Sequence, residues 1–345
     1  MGVNRFLFGY LDGEAVPGFV LSNRAGMRAK MTAFGARLTE MHIPDRDGRL
    51  EDVVLGYNDL RDYVMTSTFF GATCGRFGNR IARGEFSLDG QRHRLALNDG
   101  PNHLHGGPGG FDHRIWAAAA DEASNSVVFS LASPDGDEGY PGSLAAVARY
   151  SLTEAGELEI TMSAATDAPT IVAMVHHSYW NLAGHGSGDV RAQALQINAD
   201  FYTPLDSTLI PTGAIAPVAG TPYDFTREKP IGVGLDAVGG VGFDDNYCLR
   251  GPTDMMRPVV RMIDPASGRG LEMSTDQPGM QLYSAGAFPA EGIVGKGGAR
   301  YPPHAGIALE AQKFPNSPNV GHFPSVRLAP GVLYQNHVRF RFFTQ

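Results

Sequence analysis

The feature that most constrains this chain is a side-chain alternation of period two. Between residues 157 and 164 the apolar Leu158, Ile160 and Met162 alternate with Glu157, Glu159, Thr161 and Ser163, the pattern of a strand that buries one face. A second apolar-rich run, residues 146–152, lies just upstream. Thr153-Glu154-Ala155-Gly156 between them supplies a short turn with a glycine for a positive-φ position, so the two runs predict a hairpin. Asp89-Gly90 marks another, between Phe86-Ser87-Leu88 and the residues after Gln91. Further strands are expected at residues 127–132, 192–199, 279–285, 307–312 and 337–343. Helical periodicity over ten or more residues is almost absent, with one short helix expected at residues 58–64. The 44 glycines and 23 prolines punctuate the sequence without a collagen-like period, as they do in chains of many short strands joined by turns. No repeat of 20–50 residues and no compositional break divides the chain. The expected architecture is all-β: one large antiparallel β-sandwich of twisted sheets, a single domain over residues 1–345.

Charge and hydropathy narrow the partners. A net charge of -8 argues against nucleic acid and anionic membrane surfaces, which are bound through clustered Lys and Arg; a neutral small molecule fits better. No segment approaches the roughly 18 uninterrupted apolar residues of a membrane span. The opening MGVNRFLFGYLDG has no basic segment followed by a sustained apolar core, so a cytoplasmic protein is expected. Cys74 and Cys248 are far apart and lack metal-type spacing, which predicts two free thiols rather than a disulfide.

Residues 71–116 pack arginines, histidines, asparagines and glycines around short strands and tight turns. Arg76 and Arg80, Asn98 and Asn102, and His103 and His105 are expected to converge on a neutral polyhydroxyl ligand such as a sugar. The segments HHSYWNLAG, GFDDNYCL and GIALEAQ add further polar groups. On a strand over residues 307–312, Ala308, Glu310 and Gln312 share one face, and by residue type alone Glu310 is expected to meet solvent. His103-x-His105 on a strand would put both imidazoles on one face, as a metal requires. Glycines follow where a third ligand is needed, so a metal ranks below a metal-free acid/base pair. Residues 292–298 lack the spacing of a phosphate loop and read as a mobile loop around Lys296. No GxSxG elbow occurs, and Ser178 beside His177 is not a dyad by adjacency. Tyr179, Trp180, Phe243, Tyr247 and Phe288 are expected mostly in the core, with one or two available to stack on a sugar.

Taken in order, the blocks GRFGNRIARGEFSLDG, PNHLHGGPGGFDHRIW, HHSYWNLAG, GFDDNYCL, PGMQLYSAGAF and LEAQKFPNSPN, followed by FPSVRLAPG, strongly resemble the aldose 1-epimerase family, also called galactose mutarotases. The resemblance implies the β-sandwich of the galactose mutarotase type and interconversion of α and β anomers of a free aldose through the open-chain aldehyde, without cofactor or metal. It places the general base on Glu310 and the general acid on His177, with His176 the less favoured histidine. It assigns Arg80, His105, Asp244 and Gln281, together with Asn79 of the Asn-Arg pair, to the sugar's hydroxyls and ring oxygen. A neighbouring carboxylate, Asp244 or Glu310, is expected to keep His177 protonated near neutral pH. The chain departs from the family's usual pattern at Asp245, at Asn316-Ser317 and at Val332. Two other readings stand beside this one. One is a non-catalytic sugar-binding or regulatory protein on the same sandwich. The other is a mutarotase of phosphorylated sugars, which would call for more cations than Arg76, Arg80 and Arg83. The small-molecule substrate is the expected partner, to a monomer or homodimer.

Overall fold

A computed structural model describes residues 2–345. Its largest sheet has nine strands, and the alternating run forms its middle. Strand Glu157–Thr166 pairs antiparallel with Leu144–Leu152 on one side and with Tyr334–Thr344 on the other. Leu158, Ile160, Met162 and Ala164 are buried while Glu159 and Ala165 are exposed. The turn is the expected one: Gly156 has φ 77°, and the Glu157 N–H donates to Thr153 Oγ1 at 3.1 Å. Asp89 and Gly90, with φ 50° and 83°, join strands Glu85–Leu88 and Gln91–Arg94. Both turn residues take the left-handed values that match the twist of the flanking strands.

A six-stranded sheet faces the first. Its order is Tyr179–Trp180, Ile307–Gln312, Gly279–Tyr283, Asp244–Leu249, Ala199–Thr203 and Ala216–Pro217. The two sheets share one apolar core. Trp180 lies against Phe340 of the nine-stranded sheet, with ring centroids 4.7 Å apart. Buried Asn336 on that sheet donates to the carbonyls of Met174 and Ala311, at 2.9 and 2.8 Å. A five-stranded N-terminal sheet runs from Gly2–Leu11 to Leu50–Asp52.

Three expectations change. The single strand at residues 192–199 is two: Ala194–Ile197 belongs to the nine-stranded sheet and Ala199–Thr203 to the six-stranded one, so the chain passes between sheets at Asn198. The short helix is present as Leu60–Met65, but a second, Ile231–Val238, gave no readable pattern because Gly232 and Gly234 interrupt its apolar stripe. The turn expected as a mobile loop exposes Gly297 and Gly298 but buries its lysine. Lys296 is buried, with Nζ on the Thr39 carbonyl at 2.7 Å and paired to Asp52, because a buried amine is tolerable only with such partners. Both cysteines are free, as expected. Among the described residues no helix is long and apolar enough to cross a membrane.

Candidate active site

Strand Ile307–Gln312 lies between two neighbours and is covered on both faces, so all six of its residues are buried. Glu310 is 1% exposed. The expectation that it meets solvent therefore fails, because it took the strand to have one wet face. Register aligns Glu310 with Gln281, and Gln281 with Asn246, across three adjacent strands. Polar groups of this wall bond one another, although buried Gln312 Oε1 is left without a partner. Gln312 Nε2 donates to Gln281 Oε1 at 3.0 Å and to Asn246 Oδ1 at 3.1 Å. Gln281 Nε2 donates to Asp244 Oδ1 at 2.7 Å.

Asp244 Oδ2 in turn accepts from Arg80 Nη1 at 3.2 Å, and Arg80 Nε donates to Asp99 Oδ2 at 2.6 Å. The guanidinium is thus fixed between two carboxylates. Burial opposes its charge, but Asp244 and Asp99 more than offset this and raise its pKa.

His177 reaches the wall from strand Val175–His177, which pairs with Ala72–Cys74. Alternation sends its neighbour the other way: His176 points into the core, Nδ1 3.2 Å from Tyr150 Oη and ring near Phe340. His177 Nε2 lies 3.4 Å from Glu310 Oε1. Its ring stacks on Phe69, with centroids 5.8 Å apart, and meets His105 edge-on at 5.1 Å. Two buried atoms of the pair, His177 Nδ1 and Glu310 Oε2, have no hydrogen-bond partner.

His105 is set by its backbone. It has φ 50°, outside the strand that ends at Leu104, so His103 and His105 do not share a face. His105 and Asn79 exchange bonds: the His105 N–H donates to the Asn79 carbonyl, and the Asn79 N–H donates to His105 Nδ1, each at 3.1 Å. Asn79 Oδ1 accepts the Arg80 N–H at 2.8 Å, so Asn79 orients its two neighbours. Donor atoms of His105, His177 and Glu310 lie within 4.8 Å of one another. They suit a metal poorly, because His105 Nδ1 is occupied by an N–H and its proton must sit on Nε2, leaving neither nitrogen free to ligate.

Burial governs protonation. It pushes the Glu310 carboxyl well up; Asp244 adds to the rise and Arg80 opposes it. It also pulls His177 down to about 3 and His105 well below the usual imidazole value. Removal from water, aided by the charge of Arg37, works against the protonated His177 that was expected. Both members of the pair are thus biased toward their uncharged forms.

Of the six residues expected to converge from segment 71–116, Arg80 and His105 reach this wall. Buried Arg76 instead holds the carbonyls of Ser133, Pro134, Pro141 and Gly142. His103 bonds Tyr140 Oη at 2.6 Å and the Ala96 carbonyl at 2.7 Å. Asn98 and Asn102 bond the backbone at Leu104, Thr208 and Arg83. Sequence reasoning missed Asp99, Phe69 and Tyr283. Asp99 precedes a glycine and reads only as a turn; Phe69 has φ 58°, which no pattern signals. Tyr283 follows Gln281 by one strand period, lies opposite Asp244, and was available to the same alternation argument.

The chain as a whole has counterparts among known proteins. A family sequence profile described as Aldose 1-epimerase matches residues 17–341. The chain is 42% identical to a galactose mutarotase of Sus scrofa over 99% of each sequence. Among solved structures, an aldose epimerase homologue from C. elegans superimposes with TM-score 0.88 at 32% identity, over 94% of this chain and 98% of that one. Galactose 1-epimerase from Lactobacillus acidophilus superimposes with TM-score 0.86 at 30% identity, over 99% and 98%. With the family profile, sequence identity and superposition in agreement over nearly the full length, the chain belongs to the aldose 1-epimerase family.

Proposed function

We propose that this protein interconverts the α and β anomers of free aldoses such as galactose or glucose, with Glu310 as general base and His177 as general acid. The observation that carries the reading is the buried pair itself: a carboxyl and an imidazole 3.4 Å apart, beside a wall of polar side chains. In the ionised arrangement, Glu310 takes the proton from the C1 hydroxyl while His177 delivers one to the ring oxygen. The C1–O5 bond breaks, O1 becomes the aldehyde oxygen, and the pair is left as carboxylic acid and neutral imidazole. Rotation about C1–C2 presents the other face. Ring closure then returns both protons and gives the opposite anomer. Ionised and neutral pairs have the same net charge, so the step moves protons without creating charge in a water-poor site. Each group is asked for roughly 10² to 10⁴ in rate.

Arg80, Asp244, Gln281 and His105 are the proposed contacts to the sugar's hydroxyls, with Asn79 holding Arg80 and His105 in place. A neutral sugar is favoured over a phosphorylated one, because the Arg80 guanidinium is already matched by Asp99 and Asp244. The test is polarimetry of freshly dissolved α-D-glucose and α-D-galactose with wild type and Glu310→Gln at equal concentration. Fast relaxation with wild type alone is expected. Equal relaxation with both proteins would remove Glu310 as the base, and saturable sugar binding without acceleration by wild type would favour a binding protein.

A further inference from the structure

Arg80 and Glu310 stand on different pieces of sheet. Glu310 is in the six-stranded sheet, whereas Arg80 opens the two-residue strand Arg80–Ile81, whose only ladder partner among the described residues is His103–Leu104. A side chain on so short a ladder needs other anchors if it is to hold a fixed distance from the base. Asn316 supplies them. It lies six residues beyond Glu310, 5% exposed and left-handed at φ 57°, a conformation that asparagine tolerates better than most residues. Its N–H donates to the Arg80 carbonyl at 2.8 Å. Its Oδ1 accepts the Ala82 N–H at 3.1 Å, so one residue grips the backbone on either side of Ile81. Asn319 Nδ2 donates to the same oxygen and to the Glu85 carbonyl, both at 2.8 Å, which fills the second lone pair and fixes which end of the Asn316 amide faces the strand.

We propose that Asn316 is a positioning residue for the reaction, holding Arg80 in register with Glu310 by clamping the Arg80–Ala82 backbone to the segment that leaves the Glu310 strand. The inference rests on the reading given under Proposed function. Asn316 acts through Arg80, so its loss falls on sugar handling more than on the proton transfers.

Two substitutions separate the acceptor from the backbone conformation. Asn316→Gly keeps the left-handed conformation at no steric cost but removes the acceptor; Asn316→Asp keeps an oxygen acceptor in the same place. The glycine variant is expected to raise KM for galactose roughly tenfold with kcat within about threefold of wild type. The aspartate variant should stay within about twofold in both. In a double-mutant cycle, Arg80→Ala should cost less in the Asn316→Gly background than in wild type, because the two changes damage one interaction. A folded glycine variant with unchanged KM, or additive effects in the cycle, would overturn the proposal. The Arg80 Nε–H resonance, set apart by its 2.6 Å bond to Asp99, reads the same geometry without turnover. It should shift or broaden in Asn316→Gly, and an unchanged signal would also overturn the proposal. Wild type that fails to speed mutarotation would sink the catalytic reading instead, with the resonance still deciding whether Asn316 holds Arg80.

Discussion

Both members of the His177–Glu310 pair sit where water does not reach them, and each is pushed toward its uncharged form. This fixes the acid limb of catalysis. An ordinary imidazole gains a proton as pH falls through about 6.5, and a doubly protonated pair has no base left. His177 is held down to about 3, so that second proton does not arrive near neutrality. The expected profile of kcat/KM is flat from pH 7 to pH 5, measured by polarimetry in buffers that do not themselves catalyse mutarotation. An inflection near 6.5 would show that His177 titrates freely and is in contact with water. The family resemblance gave the members of this pair but not their charge state. Charge state depends on desolvation, which comes from strands more than a hundred residues away in sequence.

Strand Asp244–Leu249 puts alternate residues to opposite uses. Asp244 and Asn246 join the polar wall, while Asp245 faces the other way, toward Tyr247 and the stacked pair Tyr202–Tyr223. Burial, reinforced by Asp244, raises the Asp245 carboxyl to about 7. In the unfolded chain it ionises above about 3.9, so the folded state binds the extra proton between those values and loses stability as pH rises from about 4 to 7. Asp245→Asn keeps an oxygen for the Asp244 N–H, which donates to Asp245 at 3.2 Å, and removes the ionisation. It should raise Tm relative to wild type more at pH 8 than at pH 5, by a free-energy difference of up to about 3 kcal/mol. Equal shifts at both pH values would count against a buried neutral Asp245. Strands such as Glu157–Thr166 were legible because one face is wet and the alternation survives in the sequence. Ile307–Gln312, buried on both faces, gave Glu310 a position but not an environment. The left-handed residues Phe69, Asn79, His105 and Asn316 set directions that no period reveals, which is why His103 and Arg76 were drawn into the site and Phe69 was left out.

At the scale of the whole molecule, four buried histidines act together. Burial lowers His103 to about 4, His176 and His177 to about 3, and His105 well below its usual value. On unfolding each gains a proton below about pH 6.5, so stability falls as pH drops through that value. At pH 5, His103, His176 and His177 would each cost about 2 kcal/mol. Half-buried His185 joins them, while the raised carboxyls of Glu310, Asp245, Asp112 and Glu138 work in the opposite direction. Net loss of stability between pH 7 and pH 5 is the expected outcome, and calorimetry should show it as a lower Tm. We also propose that the chain unfolds as a single unit; two resolved transitions in the same scan would refute that. The passage of the chain from one sheet to the other at Asn198 bears on how such unfolding proceeds. A continuous backbone stitches the two layers at that point, so shearing one across the other would break pairing on both sides of the stitch. The wall bearing Asp244 and Gln281 is therefore moored to the largest sheet and cannot drift from it as a separate flap.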